Sequence, residues 1–229
     1  MRFYRTRSRR SLFAAFLCLV AAVLIFLCLF SCSSPSMLRI YFLKFTSGAI
    51  DVYYGWRYHC IVQAGQTACY FDNVILYPID TFTANLFNAT YPQMFADQIT
   101  MDPATQPLFT ATPLHNPQIV AAAFLCLICS ISAPLVAIAR VTTKKVEDKA
   151  YARGFLALLG AALAMILLTL VSMLYDNGKQ ILNLEFPHIQ ADTGNGKSIV
   201  GITFGLLFAA SALLLRGCFE ETDSGYSEL

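Results

Sequence analysis

GFLALLGAALAMILLTLVSMLY, from Gly154 to Tyr175, holds no charged residue and is closed by Arg153 before it and Asp176 after it. At 1.5 Å per residue, a helix of about 20 residues crosses the roughly 30 Å of hydrocarbon in a bilayer. Three more stretches share the pattern: Ser11 to Phe30, Gln118 to Ala139 and Ser198 to Leu215. The composition agrees with them. Of 229 residues, 57% are hydrophobic and 13% charged, and the mean hydropathy is +0.58. A soluble domain carries about 25% charged residues. The expected fold class is therefore all-α membrane: a left-handed four-helix transmembrane bundle with spans over 11–31, 118–139, 154–175 and 198–216. Disordered and collagen-like classes are excluded by the same numbers.

Lys and Arg near the span ends set the orientation. The tail 1–10 holds Arg2, Arg5, Arg7, Arg9 and Arg10, and the loop 140–153 holds Arg140, Lys144, Lys145, Lys149 and Arg153. The loop 32–117 has only Arg39, Lys44 and Arg57, and the loop 176–197 only Lys179 and Lys197. Both termini, including the tail 217–229, are expected in the cytosol, and the two poorer loops outside or in a lumen. The first apolar run exceeds the 7–15 residues of a signal-peptide core, so it is read as a retained anchor, with cleavage at the lipoprotein-like Leu29-Phe30-Ser31-Cys32 as the second reading. Asn88-Ala89-Thr90 is an N-glycosylation sequon on the outer side.

The long outer loop carries β-formers. Leu38 to Phe45, Ile50 to Tyr54 and Tyr58 to Val62 read as strands, with Ala64-Gly65-Gln66 as a turn. A small antiparallel sheet is expected there. Asn85 to Leu114, with Pro92, Pro103, Pro107 and Pro113, reads as irregular loop. Of eight cysteines, only Cys60 and Cys69 lie in a polar segment, one on each side of the turn. In an oxidising compartment such a pair forms a disulfide. A loop this short adds about 2–3 kcal/mol on the chain-entropy model. The only tryptophan, Trp56, stands beside the pair and is expected to pack on the membrane-facing side of the sheet.

Gly55-Trp56-x3-Cys60-x8-Cys69 in a large first outer loop, four spans and cytosolic termini together resemble the claudin superfamily. Claudins carry Gly-Leu-Trp-x-x-Cys and a second Cys 8–10 residues on. Here the Leu is missing, and the Trp stands one residue further from Cys60. His115-Asn116-Pro117-Gln118 replaces the basic residue that claudins place before the second span. Ser36 to Lys44, Val52-Tyr53-Tyr54-Gly55 and the Tyr175-Asp176-Asn177-Gly178-Lys179 exit are similar to fungal claudin-like proteins. Those include the PalI/eisosome group and the mating-fusion group of the Fig and Dni type. The resemblance implies a non-enzymatic plasma-membrane organiser. It would act in cell-wall remodelling and cell–cell fusion during mating, or in cortical membrane-domain assembly. Its implied partners are the lipid bilayer, lateral homo- or hetero-oligomers, and cortical or cell-wall components.

Other motifs have plainer readings. Gly160, with Ala157, Ala161 and Ala164, and the series Gly201, Gly205 and Ala209 are small residues at helical spacing, expected to pack the bundle, with contact between copies as the second reading. Cys126-Leu127-Ile128-Cys129 would suit a four-span thiol oxidase, but lies about 12 Å deep in its span. Gly194-Asn195-Gly196-Lys197-Ser198 has Ala191 where a phosphate loop needs its first glycine. His59, His115 and His188 lack metal-ligand spacing, so no metal and no cofactor are expected. Asp51, Asp72, Asp80, Asp97 and Asp102 could concentrate cations, which gives an alternative role as an accessory regulator of calcium influx. The closing Ser227-Glu228-Leu229 fits a PDZ-ligand pattern, for which chance is the simpler reading. No basic domain points to nucleic acid.

Overall fold

A computed structural model describes residues 2–48, 50–71, 117–142, 150–185 and 189–225. The sequon at Asn88, the acidic residues from Asp72 to Asp102, His115, His188 and the terminal Ser227-Glu228-Leu229 lie outside the described residues. The elements in order are α1 (Arg2–Leu29), a 3-10 helix (Pro35–Arg39), β1 (Leu43–Ser47), β2 (Ile50–Tyr54), β3 (Tyr58–Gln63) and β4 (Gln66–Phe71). Then come α2 (Pro117–Thr142), α3 (Ala150–Glu185), β5 (Gln190–Thr193) and α4 (Gly196–Gly225). The contacts group them into two compact units: Met1–Leu27, Ala121–Thr169 and Ser198–Leu229 in the first, Cys28–Val120 and Leu170–Lys197 in the second.

The first unit is helical. Each of the four helices contains a stretch long and apolar enough to cross a membrane: Arg10–Leu29, Ile119–Val136, Arg153–Gln180 and Gly196–Arg216. This is the layout of a multi-pass membrane protein. The buried stripes are mostly small residues: Ala14, Cys18 and Ala21 on α1, Ala123, Cys126 and Ala133 on α2, and Ala157, Ala161 and Ala164 on α3, with Ile25 and Leu167 the larger exceptions on α1 and α3. Large apolar side chains point outward instead, among them Phe16, Phe26, Ile128, Phe155, Ile166 and Phe208. In water this arrangement would be inside out. Where the solvent is hydrocarbon, nothing drives large apolar groups inward, and close backbone approach governs packing.

Polar side chains in this unit turn back on their own helices. Ser130 donates to Cys126 O at 2.7 Å and Thr203 to Ile199 O at 2.9 Å. Arg153 is buried at the start of its apolar stretch and donates from Nη1 to Ser11 Oγ at 3.2 Å. Gly154 lets α3 close on Leu215 of α4, where a Cβ would come within 2.6 Å of Leu215 Cδ2.

The second unit is built on one antiparallel sheet in the order β4-β3-β2-β1-β5. The expected sheet is present, with two differences. The segment from Leu38 does not run as one strand: Pro35 starts a 3-10 helix through Arg39, and β1 begins only at Leu43. Proline at the first helical positions presets φ for such a turn. The short second loop is also not plain loop. α3 continues past Tyr175 to Glu185, and Gln190–Thr193 adds the fifth strand along β1, with Leu43 opposite Thr193.

Alternation along β1 and β2 puts Leu43, Phe45, Ile50, Val52 and Tyr54 on one buried face. Lys44, Thr46, Asp51 and Tyr53 lie on the other, which is the period of two that a half-buried strand requires. Rings from neighbouring strands stack along the buried face, Phe45 on Tyr54, Tyr54 on His59 and His59 on Tyr70.

Candidate functional site

The residues that carried the sequence motif come together at one end of the sheet. Ala64 and Gly65, with φ of 50° and 78°, form the two-residue turn joining β3 to β4. Positive φ at both positions matches the twist of an antiparallel hairpin. The turn aligns Cys60 directly opposite Cys69, with Cα atoms 4.0 Å apart, and the two form a disulfide. The sulfur of Cys60 is fully buried.

Gly55 ends β2 and closes the turn into β3, its N–H donating to Tyr58 O at 2.8 Å. A Cβ at this position would collide with the carbonyl oxygen and the hydroxyl of Ser31. Only glycine permits this approach. Ser31 stands two residues past the end of α1, and its hydroxyl also accepts from the Trp56 backbone N–H at 3.3 Å. The next residue, Cys32, has a φ of 58°, and its carbonyl oxygen lies 2.9 Å from the Cys60 sulfur. Its own thiol is free and buried, donates weakly to Ile40 O, and is pushed up to about 12 by burial. Ser31 and Cys32 are thus the seat of the motif. No spacing rule pointed to them. The one signal was the glycine, which implies a close backbone neighbour without naming it.

Trp56 is 1% exposed. Its ring stacks on Phe42 at 4.8 Å, and Phe42 stacks on Tyr175 at 5.4 Å. The Tyr175 hydroxyl donates to Gly55 O at 3.1 Å, so α3 grips the same turn through a ring and a hydrogen bond. Trp56 Nε1 is buried with no acceptor in reach. This indole is held for its area, not for its polar atom.

On the opposite face, Lys44 pairs with Asp51 at 3.1 Å and lies 5.0 Å over the Tyr53 ring. Thr46 donates to the same Asp51 at 2.6 Å. Burial alone would lower the Lys44 pKa. Hydrogen bonds to Tyr53 and Asp51 and the Asp51 charge outweigh it, so the ammonium sits above its ordinary range. Beside the disulfide, Arg57 lies 4.9 Å over the Phe71 ring, and the Tyr58 ring lies 5.1 Å from it.

At the β5 edge, Asn183 of α3 accepts from Ala191 N–H at 2.8 Å and donates to Ala191 O at 3.2 Å. An amide side chain thereby supplies a missing strand partner at that position. The glycines of the Gly194-to-Ser198 stretch serve the same packing. Gly194 approaches Tyr41 O, Gly196 approaches the Phe42 ring, and Lys197 pairs with Asp176 at 2.5 Å.

The other sequence candidates lie in the helical unit. Gly160 is buried, and a Cβ there would meet Cys129 Cβ and Leu207 Cδ1 at 3.4 Å. Gly201 is half-buried, with only Leu168 at 4.0 Å. A Cβ on Gly205 would meet nothing within 4 Å, and Ala209 is exposed. The packed stripe of α4 is instead Val200, Thr203, Leu207 and Ala210. Gly205 and Ala209 therefore do not pack this bundle, contrary to the expectation from their spacing. Cys126 and Cys129 are free and buried, without the exposed face that thiol exchange requires. Among the described residues, no three His, Cys, Asp or Glu side chains cluster so as to hold a metal ion. In comparisons with known proteins, no family model and no curated sequence matches the chain.

Proposed function

We propose that the protein is a non-enzymatic, claudin-like organiser of the plasma membrane. It acts in cell-surface and cell-wall remodelling and cell–cell fusion during mating, or in the assembly of cortical membrane domains. The observation that carries this reading is the stapled sheet. Cys60–Cys69 stands beside the Gly55-Trp56 turn, and that turn is clamped by Ser31 and Tyr175. A disulfide-stapled sheet bearing Gly55, Trp56, Cys60 and Cys69 is what the resemblance to claudins implies, and it supports this reading. The sheet presents a recognition surface. The helices anchor the chain in the membrane and associate laterally with further copies or other membrane proteins. Both termini face the cytosol, where they meet cortical partners.

The test is imaging of a carboxyl-terminally tagged copy in living cells that carry the gene, during growth and then under mating or starvation conditions. Static cortical patches during growth support membrane-domain assembly. Accumulation only at contacts between cells supports fusion and wall remodelling. A purely reticular internal pattern would reject both.

A further inference from the structure

Three contacts fix the direction of the sheet along α3. Tyr175 meets Phe42 and Gly55. Lys179 pairs with Asp192, which faces Lys44 across the β1–β5 ladder. Asn183 clasps Ala191, which faces Phe45. From Tyr175 to Asn183 the helix advances about 12 Å at 1.5 Å per residue. From Phe42 to Phe45 the strand advances about 10 Å at 3.3 Å per residue. β1 therefore runs beside α3 in the same direction. The Gly55–Arg57 turn and the end of β4 lie at the Tyr175 end, and the Ala64–Gly65 turn lies at the far end.

The Tyr175 end is the membrane end. The apolar stretch of α3 runs from Arg153 to Gln180 and so includes Tyr175, and that of α1 stops at Leu29, just before Ser31. Gly55 is packed on Ser31, so its turn sits at the rim of the hydrocarbon. At this same end, the last two residues of β4 expose a large ring on each face of the sheet, Tyr70 at 40% beside His59 and Phe71 at 50% beneath Arg57. Such a surface is costly against water. At the bilayer interface it is ordinary, because rings settle at headgroup level while an arginine stem lies along apolar groups and its head reaches phosphate. The far end, where Gln63 faces Gln66, is polar.

We propose that the end of the sheet, with Tyr70 on one face and Arg57 and Phe71 on the other, is an interfacial lipid-binding edge seated in the bilayer leaflet. The two rings lie among the glycerol and upper acyl carbons, and the Arg57 guanidinium binds the phosphodiester of a glycerophospholipid. That group is common to zwitterionic and anionic lipids, so the anchor does not depend on headgroup net charge.

The full chain in phosphatidylcholine nanodiscs tests this, with acyl chains either unmodified or brominated near the carbonyl end. Trp56, the only native tryptophan, is buried and supplies the background emission. Phe71→Trp and, separately, Tyr70→Trp add a fluorophore at the membrane end. Gln66→Trp adds one about 17 Å further out, at 3.4 Å per residue. Mobility without reductant confirms the Cys60–Cys69 disulfide in each variant. Brominated lipid is expected to remove about half of the added emission at 71 and 70 and to leave that at 66 unchanged. Unquenched emission at both 71 and 70 would overturn the proposal. So would quenching at 66 as strong as at 71, since the sheet would then lie flat on the membrane. Adding Arg57→Glu to Phe71→Trp is expected to reduce the quenching, and unchanged quenching would overturn the role of Arg57.

Discussion

The helical unit buries mostly alanine and cysteine, with a few larger residues such as Ile25, Leu167 and Leu207, and exposes many of its phenylalanines, leucines and isoleucines. The sheet unit buries the largest side chains in the described chain, Trp56, Tyr54, Phe42 and Phe45. The difference follows from the solvent. In water, a buried ring is stabilised in proportion to the apolar area removed, so a small sheet needs its bulk inside. In hydrocarbon that drive is absent, and helices gain by approaching closely over small residues. The two units should therefore respond oppositely to changes in side-chain size.

The largest expected effect is truncation in the sheet unit. Trp56→Ala removes a ring stacked on Phe42 and should cost about 3–5 kcal/mol, as large-to-small core changes do. Trp56→Phe keeps the stacking and removes a buried N–H that has no acceptor, so its cost should be well below that of alanine. Thermal unfolding in detergent, followed by near-ultraviolet circular dichroism, measures both. Equal losses would mean that the indole nitrogen has a partner that matters.

The staple comes next. Cys60→Ser opens the Cys60–Cys69 link and should cost about 2–3 kcal/mol on the chain-entropy model, with lower surface delivery. Cys126→Ala in the helical unit trims a buried residue that is already small, and should cost less than about 1.5 kcal/mol. A Cys126 variant that is the worse of the two would break the contrast between the units.

The spans were legible because an uncharged run bounded by Arg or Asp has one reading in a chain this apolar. β2 was legible to the residue, since Ile50-Asp51-Val52-Tyr53-Tyr54 alternates and is β-rich. β5 was not. Gln190-Ala191-Asp192-Thr193 is short and polar and has no β-forming run. It is a strand because β1 pairs with one side of it and Asn183 with the other, a tertiary cause that no local pattern carries. The Cys60, Cys69, Gly55 and Trp56 cluster was visible as a motif, but its seat at Ser31 and Cys32 depends on where α1 ends in space. Small-residue spacing on α4 misled for a related reason. Gly201, Gly205 and Ala209 line one face, but periodicity does not say which face meets a neighbour, and the face that does carries Leu207 and Thr203.

That last point yields the smallest and sharpest comparison, two glycines in one unit. A leucine at Gly160 must displace Cys129 and Leu207, already at 3.4 Å from a bare Cβ. Overpacking of this kind costs about 1–3 kcal/mol. A leucine at Gly205 meets open space in this protomer and replaces a poor helix former, so it should not destabilise by more than about 0.5 kcal/mol. Paired melting curves of Gly160→Leu and Gly205→Leu in the same detergent decide the matter. A large loss at Gly160 alone shows that close approach is needed only where helices of one copy touch. A comparable loss at Gly205 would mean that the outward face of α4 is covered in the native assembly. Cross-linking before and after the substitution would then report whether a second copy covers it.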